Sequence, residues 1–464
     1  MLFKVEKYPV IIIGAGIGGL TTAAYLSKLG IPSLLLEQTS SIGGRCATRM
    51  INGQRFEIGA LYIGGGAFDH LRQTFGIKCQ TIPIRCGVIM GAHMVSFPIG
   101  WKTLWELKAC GVSWIEMLRF TYRCRQILSD PSTFERYESV GGLLEKLTTS
   151  EILRRLINAT FGGTGTDPYR LPSRYLDKEN PAVRYRTLNP EYLPEGNGKI
   201  ASMLFDLAQR NGKVVFRVKV NEIKVKDRYA LCVETDQGEY SSDVVVSNAG
   251  LRSTILNLID SEHWQKDYYF KINELPETLK VVNVFLTFSR SFGIPPGFAV
   301  FAECNDLSQG FRTLEKGSFP RQSIYALHIP SNVEPDSKGD HRATLQFYYP
   351  RGQRITLQSL EEQVHRIIHD DLGKFFEGFS KAITNYTVYD PVRYEQEFGF
   401  SPNVFGVSPD LSYPRFQIET PITNLFCVGD SVAPDGPCVP QAMQSGLNCA
   451  RMIATRLGVG FQSY

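Results

Sequence analysis

The chain contains 464 residues, 43% of them apolar and 21% charged, which is the composition of an ordinary globular protein. A single hydrophobic core rarely organises this many residues, so we expect two closely connected domains. The net charge is only +4, from 50 basic and 46 acidic residues, and it does not indicate a nucleic-acid partner.

Targeting and metal-binding signals are weak. No run of 18 apolar residues predicts a membrane span, and the first strand begins too close to Met1 to leave room for a secretory or transit segment.

The ten cysteines show no C-x-x-C spacing, which suits reduced thiols. His365 and His369 lie on a helix predicted over 361–376, but no third ligand accompanies them. We therefore expect a cytoplasmic protein without a metal site.

Residues 8–20 contain the first motif, an apolar strand followed by a glycine-rich turn and the start of a helix. In this G-x-G-x-x-G pattern Gly14 permits a tight turn, Gly16 lets the backbone approach a pyrophosphate, and Gly19 lets the helix pack on the strand. Ile17 opens the helix, whose N-terminus would face the phosphates. The motif predicts the first half of a dinucleotide-binding βαβ unit.

The second strand of this unit, predicted over 31–36, ends just before Glu37, which lies 18 residues beyond Gly19. A carboxylate at this place accepts hydrogen bonds from ribose hydroxyls and would repel a 2′-phosphate. The predicted ligand is therefore FAD or NAD rather than NADP.

A second glycine motif favours FAD. Residues 41–49 read SIGGRCATR, and residues 56–60 read FEIGA. An NAD-binding domain would continue directly into its next βαβ repeat, whereas Gly43, Gly44 and Arg45 stand where further phosphate or a flavin must be accommodated. The alternative interpretation is a glycine-rich surface loop with a solvated arginine.

The middle of the chain leaves the nucleotide domain and then returns to it. The region up to about residue 188 is rich in predicted helix and carries no nucleotide motif, so it begins the substrate domain. A turn and an amphipathic helix over 193–213 come next. Predicted strands then follow over 214–220, 222–225, 230–235 and 243–247. The two domains are thus interleaved, with an FAD-binding domain over 1–80, 190–260 and 415–464 and a substrate-binding domain over 81–189 and 261–414.

The third motif lies near the C-terminus. A buried strand is predicted over 425–428, after which Gly429 forms a turn and Asp430 places a carboxylate where α/β sheets bind ligands. Pro440 suits the first position of the last helix. That helix would present the Val439 amide and a positive dipole to the flavin edge, while Asp430 would accept from a ribityl hydroxyl. A structural helix with a solvated aspartate is the alternative.

Together these motifs resemble those of the flavoprotein superfamily of amine oxidases, protoporphyrinogen oxidases and carotenoid desaturases. The resemblance implies an α/β fold in which a Rossmann-like FAD-binding domain of the GR2 type is interleaved with an α+β substrate domain. It also implies residue roles: Gly43, Gly44 and Arg45 approach the pyrophosphate and the flavin edge, Gly59 and Ala60 lie near the isoalloxazine, and the Val220 backbone contacts the adenine. A plain packed strand is the alternative for Val220.

The C-terminal motif is most similar to carotenoid desaturases and carotene isomerases, in the stretch CVGDS at 427–431 and its lead-in TPI. Two features depart from that group. Arg45 follows the glycine pair, as it does in amine and protoporphyrinogen oxidases, and Pro437 and Cys438 interrupt the glycine-rich turn. The substrate class is therefore open between these groups.

Amine oxidases often hold a lysine near the flavin N5, on the strand that here reads LKVVNVFLTF at 279–288. An ungapped match puts Asn283 at that position, with Lys280 three residues away. No aromatic pair flanks Gly429, so a small cationic amine lacks an obvious cage. These departures count against an amine oxidase.

Residues 101–125 mix tryptophan and aliphatic side chains with five cations and two acids. The cations are Lys102, Lys108, Arg119, Arg123 and Arg125. A basic, aromatic and amphipathic segment can lie in a membrane interface and admit a lipid-borne substrate. The alternative is a cap helix packed on the core.

The sequence thus predicts an FAD-dependent oxidoreductase that desaturates, isomerises or otherwise reacts with a lipophilic polyene or isoprenoid, by hydride or electron transfer to flavin N5. No general base is predicted. A flavin amine or amino-acid oxidase is the alternative enzyme. A non-catalytic prenyl-lipid carrier of the same fold is the alternative of another class, and the intact Gly16, Glu37 and Asp430 count against it.

Overall fold

The computed structural model describes residues 6–97, 100–127, 129–130, 132–177, 180, 190–276, 278–292, 298–302, 306–330, 341–352, 355–413, 415–436 and 438–459. Pro437, one of the two residues that interrupt the glycine-rich turn of the third motif, lies outside these residues. The ends of the predicted domain segments at residues 1, 189 and 464 lie outside them as well.

The strands and helices alternate along most of the chain. The strands are β1 (Glu6–Ile13), β2 (Ser33–Glu37), β3 (Thr48–Ile51), β4 (Gln54–Glu57), β5 (Ile63–Gly64), β6 (Ile82–Pro83), β7 (Arg85–Met90), β8 (His93–Phe97), β9 (Pro190–Tyr192), β10 (Gly212–Phe216), β11 (Val220–Lys226), β12 (Tyr229–Thr235), β13 (Gly238–Ser247), β14 (Val281–Phe288), β15 (Phe298–Ala302), β16 (Tyr325–His328), β17 (His341–Tyr348), β18 (Ile383–Tyr389) and β19 (Leu425–Cys427). The α-helices are α1 (Ile17–Lys28), α2 (Gly66–Phe75), α3 (Trp101–Ala109), α4 (Trp114–Ile127), α5 (Thr133–Arg136), α6 (Val140–Leu147), α7 (Glu151–Gly162), α8 (Lys199–Ala208), α9 (Leu251–Asn257), α10 (Lys266–Asn273), α11 (Leu307–Glu315), α12 (Leu357–His365), α13 (Gly373–Phe375), α14 (Phe379–Ala382), α15 (Pro391–Phe398) and α16 (Val439–Arg456).

The first large sheet forms an α/β core. Its strand order is β10-β2-β1-β13-β12-β11, and β19 also pairs with β13. Five strands of this sheet run parallel to one another: β10, β2, β1, β13 and β19. Strand β12 is antiparallel to both of its neighbours, β13 and β11. The sequence of β1 is apolar over 10–13 because helices cover both faces of a parallel sheet. Helix α1 packs against both α8 and α16, so the Rossmann-like core that the sequence predicts is present.

The second large sheet has the order β18-β14-β17-β16-β15-β7-β8 and is antiparallel except where β7 meets β15. The two sheets take their strands from alternating stretches of the chain. The first uses 6–37, 212–247 and 425–427, and the second uses 85–97, 281–348 and 383–389. The exact domain boundaries stay a prediction.

Two predicted elements are wrong in detail. The strand predicted over 214–220 is divided, because the chain leaves the sheet at Arg217, whose backbone has φ +57°. The amides of Arg217 and Val218 there donate to the carbonyls of Thr39 and Glu37, both at 3.0 Å. This detour brings the start of β11 beside Glu37.

The helix predicted over 361–376 is present, but it is not α-helical throughout. Helix α12 ends at His365, and a wider π-helical turn over Arg366–Leu372 follows it. The wider turn buries Ile367, Ile368 and Leu372 in the core of the second sheet. Within the described ranges, no helix is both long and apolar enough to cross a bilayer.

Candidate active site

A large cavity opens between the two sheets. Its volume is about 1170 Å³, whereas a pocket for one small molecule usually has roughly 300–1,000 Å³. Thirteen of the fourteen predicted cofactor residues line it: Gly14, Gly16, Ile17, Glu37, Gly43, Gly44, Arg45, Gly59, Ala60, Val220, Gly429, Asp430 and Val439. The fourteenth, Gly19, lies behind the wall, where a Cβ would sit 2.2 Å from the Gly14 carbonyl oxygen. Gly19 therefore packs the helix on the strand and does not line the cavity.

The two glycine motifs lie side by side. Gly14 and Gly43 have φ of +94° and +97°, which favours glycine at both positions. The Gly43 amide donates to the Ala15 carbonyl at 2.9 Å. Gly16 is the N-cap of α1 and supplies no side-chain cap, so the first amides of α1 remain open at the cavity wall. This arrangement suits an anionic phosphate group.

Glu37 is a cavity-lining carboxylate that is only 9% exposed. Its Oε2 accepts from the Ala15 amide at 2.7 Å, and its Oε1 accepts from the Thr39 amide at 2.9 Å and the Thr39 hydroxyl at 2.8 Å. Three protein donors leave part of the acceptor capacity of a carboxylate for a ligand hydroxyl. Glu37 therefore fixes the glycine turn as well as facing the cavity.

Arg45 and Asp430 form an ion pair, with Arg45 Nη2 2.7 Å from Asp430 Oδ1. The other Asp430 oxygen accepts from the Gly406 amide at 3.0 Å, and Arg45 Nη1 donates to the Asn403 carbonyl at 3.2 Å. From the sequence, we expect each of these two side chains to contact the cofactor separately. In the structure they bind one another on the cavity wall and join the second motif to the third.

The N-terminus of α16 also reaches the cavity. The helix begins at Val439, and its N-cap, Cys438, has φ +92° and makes no side-chain cap. The preceding loop is held by Arg415, which donates to the Val432 carbonyl at 3.1 Å and also to the carbonyls of Asp430 and Gly436. Burial lowers the pKa of Arg415. The helix thus presents the Val439 amide and the positive end of its dipole to the cavity.

Sequence reasoning missed Asn248, which lies in the stretch VVVSNAG at 244–250. With its amide oriented to satisfy both neighbours, Asn248 Oδ1 accepts from the Gly16 amide at 3.2 Å, and Nδ2 donates to the Val428 carbonyl at 3.3 Å. Asn248 also lines the cavity. It therefore connects the first glycine motif with the C-terminal strand, a link that only spatial proximity reveals.

The second sheet supplies the other wall. Beyond the glycine turns the cavity is bordered mainly by apolar and aromatic side chains: Phe161, Val281, Leu307, Ile324, Tyr325, Phe347 and Tyr348. The Tyr348 hydroxyl donates to the Gly162 carbonyl at 2.7 Å. Burial raises the pKa of both Tyr325 and Tyr348, so both phenols are neutral at ordinary pH. We call this part of the cavity the apolar chamber.

Charged side chains line only the nucleotide end. They are Glu37, Arg45, Lys219, Arg252 and Asp430, and the wall contains no histidine among the described residues. Lys280 does not line the cavity but pairs with Glu395 at 3.0 Å. Within the described ranges no group of three or more histidine, cysteine, aspartate or glutamate residues is arranged to hold a metal ion.

The parallel sheet, the paired glycine turns and the two helix N-termini at the cavity define a dinucleotide-binding protein with a second, apolar binding region. The chain belongs to the family of flavin-containing amine oxidoreductases, whose sequence model matches residues 17–454. It is an FAD-dependent oxidoreductase, as the sequence predicted.

Three relatives are each 23% identical to the chain. One is an inactive all-trans-retinol 13,14-reductase of Danio rerio, with 97% of this chain and 86% of the relative covered. Another is a phytoene desaturase of Fusarium fujikuroi, with 78% and 68% covered. The third is the chloroplastic prolycopene isomerase 1 of an Oncidium hybrid cultivar, with 98% and 85% covered.

Solved structures share the fold. An oxidoreductase from Methanosarcina mazei superposes with a TM-score of 0.70 at 17% identity, covering 96% of this chain and all of that one. A putrescine oxidase with bound putrescine gives a TM-score of 0.66 at 16% identity, covering 98% and 100%. At these identities the likeness establishes the architecture alone.

Proposed function

We propose that the protein uses FAD to desaturate, isomerise or reduce an uncharged polyene or isoprenoid. The observation that carries the proposal is the distribution of charge along the cavity. Every charged side chain on the described wall lies at the nucleotide end, and the apolar chamber offers only neutral groups. Burying a cationic amine in such a chamber without a partner would be costly, whereas a hydrocarbon chain gains from burial there.

The relatives support the same substrate class. The relatives are named for phytoene, prolycopene and retinol, which are lipophilic isoprenoids, and the chain resembles them over most of its length. The resemblance to the retinol reductase called inactive makes a direct test of turnover necessary.

We further propose that different residues of the cavity wall bind different parts of FAD. The open amides after Gly16 and the pair Gly43 and Gly44 would bind the pyrophosphate, Glu37 the ribose and Val220 the adenine. The amides at the start of α16 would face the flavin edge. When bound, FAD supplies the capacity to accept or donate an electron pair. The protein supplies orientation, neutral surroundings and the exclusion of water.

The substrate proposal is tested by mixing the purified, FAD-loaded protein anaerobically with two panels of compounds. One panel contains carotenoids and retinoids in liposomes, and the other contains primary amines and amino acids. We expect the visible flavin absorption or the polyene spectrum to change with the first panel only. Hydrogen peroxide formed in air with an amine, and no change with any polyene, would contradict the proposal and favour an amine oxidase.

We also propose that the protein contacts a membrane through the hairpin of α3 and α4. Six large side chains are exposed there: Trp101 (84%), Trp105 (66%), Trp114 (40%), Ile115 (62%), Leu118 (71%) and Tyr122 (68%). Trp105 and Trp114 pack edge to face with their centroids 5.2 Å apart, so the two helices present one continuous surface. Large apolar patches on a protein surface commonly mark interaction sites.

The underside of this hairpin connects the patch with the chamber. Leu107, Met117 and Phe120 are buried in the same hydrophobic cluster as Val88 and Phe161, which line the cavity. Cations rim the exposed side, as anionic lipid headgroups would require. The patch and the chamber therefore share one hydrophobic cluster, and we propose that a lipophilic substrate enters from the bilayer beside it.

Flotation on anionic liposomes tests the membrane contact. We expect flotation at low salt and release at high salt, because each surface cation contributes only about 1 kcal/mol and is screened beyond about 10 Å at 0.1 M salt. Replacing Lys102, Lys108 and Arg119 with Gln should abolish flotation while the flavin content stays the same. Wild-type protein that stays unbound at low salt would contradict the proposed contact.

A further inference from the structure

A neutral polar pair stands on the cavity wall at the border between its two ends. Asn283 on β14 and Gln346 on β17 are direct cross-strand partners. Gln346 Nε2 donates to Asn283 Oδ1 at 2.7 Å and to the Gly59 carbonyl at 3.0 Å. Asn283 is fully buried, and Gln346 lines the cavity.

These contacts fix the orientation of the Gln346 amide. Both hydrogens of Nε2 are used, and a reversed amide would place its oxygen against the Gly59 carbonyl oxygen, which would be repulsive. The Gln346 Oε1 therefore has no protein donor within the described residues. The Asn283 Nδ2 is likewise without a partner there. Because Gln346 lines the cavity and Asn283 does not, a ligand N–H can supply the missing hydrogen bond only at Gln346 Oε1.

The position of Gln346 indicates which part of a ligand it meets. Gly59 is adjacent to Ala60, whose amide donates to the Arg45 carbonyl at 2.9 Å. Arg45 in turn holds Asp430, so the Gly59 carbonyl belongs to the same wall as the ion pair. On its other side Gln346 adjoins Phe347 and Tyr348 of the apolar chamber. FAD extending from the glycine turns past the ion pair would bring its ring system to this border.

We propose that Gln346 is a positioning residue for the flavin ring, with Oε1 placed to accept a hydrogen bond from the N5–H of the reduced ring and Asn283 holding the amide in that orientation. This inference rests on FAD binding in the cavity and is independent of the substrate class. A flavin that accepts two electrons and a proton gains an N–H at N5, which the oxidised ring lacks. A fixed acceptor therefore stabilises the reduced ring relative to the oxidised one, and it raises the midpoint potential.

The midpoint potential of bound FAD, measured by equilibration with a reference dye and without substrate, tests the assignment. Gln346→Met keeps a side chain of similar length and removes the amide. We expect its potential to fall by an amount equal to about a tenfold change in the reduction equilibrium, which is about 30 mV for a two-electron couple. Asn283→Leu should lower the potential in the same direction, because the Gln346 amide loses its anchor.

Thr344→Val is the matched control. Thr344 lies two residues from Gln346 on the same face of β17, and its hydroxyl donates to the Glu57 carbonyl at 3.4 Å without lining the cavity. We expect its potential to equal that of the wild type. Gln346→Leu serves as a second variant where Gln346→Met yields too little folded protein.

Three outcomes would overturn the inference. An unchanged potential in Gln346→Met or Gln346→Leu with full flavin content would show that Oε1 does not meet the ring. An equal fall of the midpoint potential in Thr344→Val would show that any substitution in β17 changes the potential through the sheet. A wild-type protein that binds no FAD would overturn the inference together with the cofactor assignment. This outcome is distinguished from the other two by the absence of flavin absorption.

Discussion

Glu37 illustrates how one residue can serve both the fold and the ligand. Its carboxylate holds the Ala15 amide in the glycine turn and both donors of Thr39, and it also lines the cavity. The sequence pointed to the ribose contact, while the structure adds the two backbone contacts. A substitution here therefore affects both the free protein and the complex.

We predict that Glu37→Ala weakens FAD binding ten- to hundredfold, and that Glu37→Gln weakens it less. The loss of a charged acceptor should cost roughly 1.5–3 kcal/mol. Glutamine keeps one acceptor oxygen, so part of the contact remains. Titration of dialysed protein with FAD measures the affinity, and thermal unfolding of the FAD-free forms measures the contribution of the turn. An unchanged FAD affinity in Glu37→Ala would show that the carboxylate does not meet the ribose.

We predict a second residue effect at the ion pair on the cavity wall. Asp430→Ala should lower flavin occupancy, because it leaves the Arg45 guanidinium and the Gly406 amide without their acceptor. Val439→Ala is the matched control, since we assign a ligand contact to its amide alone. Occupancy is measured as the ratio of flavin to protein absorption. An equal loss of flavin in both variants would refute the backbone contact at Val439.

At the scale of elements, helices α1 and α16 approach each other closely because glycine occupies the contact. A Cβ at Gly446 would lie 2.5 Å from the Gly18 carbonyl oxygen. The Thr22 hydroxyl donates to the Gly446 carbonyl at 3.3 Å. Both helices begin at the cavity wall, so their separation determines the distance between the two N-termini that face the cavity.

We therefore predict that Gly446→Ala destabilises the protein and reduces FAD binding together. Overpacking against a backbone carbonyl typically costs about 1–3 kcal/mol, and the shift of α16 would move its N-terminus from the cavity. Thr455→Ala, at an exposed position of the same helix, is the control and should bind FAD normally. Denaturant unfolding and FAD titration provide the two measurements. Normal FAD binding in Gly446→Ala would show that the site tolerates movement of the helix.

At the scale of the whole molecule, the two sheets bury polar groups that respond to pH. His328 on β16 is 1% exposed, and neither ring nitrogen has a partner within the described residues. Burial, followed by the charge of Arg342, lowers its pKa to about 3. The unfolded chain takes up a proton near pH 6.5 while the folded chain does not, so stability falls as the pH decreases from about 6.5 toward 3.

We predict that acidification from pH 7 to pH 5 removes roughly 2 kcal/mol of stability through His328 alone. His328→Leu should lose correspondingly less stability over this interval, since leucine does not titrate. The exposed His93 provides the control, and His93→Gln should behave as the wild type does. Denaturant unfolding at the two pH values gives the comparison. Equal losses in the wild type and His328→Leu would show that another group causes the acid sensitivity.

The nucleotide half of this architecture could be predicted from sequence because its signals are local. A parallel strand buried on both faces must be apolar, and the turn after it requires glycine at Gly14 whatever the rest of the chain does. The last strand and helix follow from the same rules, and α16 starts one residue from the predicted position. The bend at Arg217 and the π-helical turn after His365 were missed, because both depend on what the segment packs against.

The sequence alone therefore determined the dinucleotide-binding core, the choice of FAD and, along single strands and turns, most of the predicted residues that line the cavity. Only the tertiary structure decided that Arg45 binds Asp430, that Asn248 joins the first motif to the last strand, and that Gln346 stands beside Gly59. It also decided that the charged side chains of the wall gather at one end of the cavity. These features join residues hundreds of positions apart, and no periodicity or spacing along the chain encodes a distance between segments that meet only when two sheets close over one cavity.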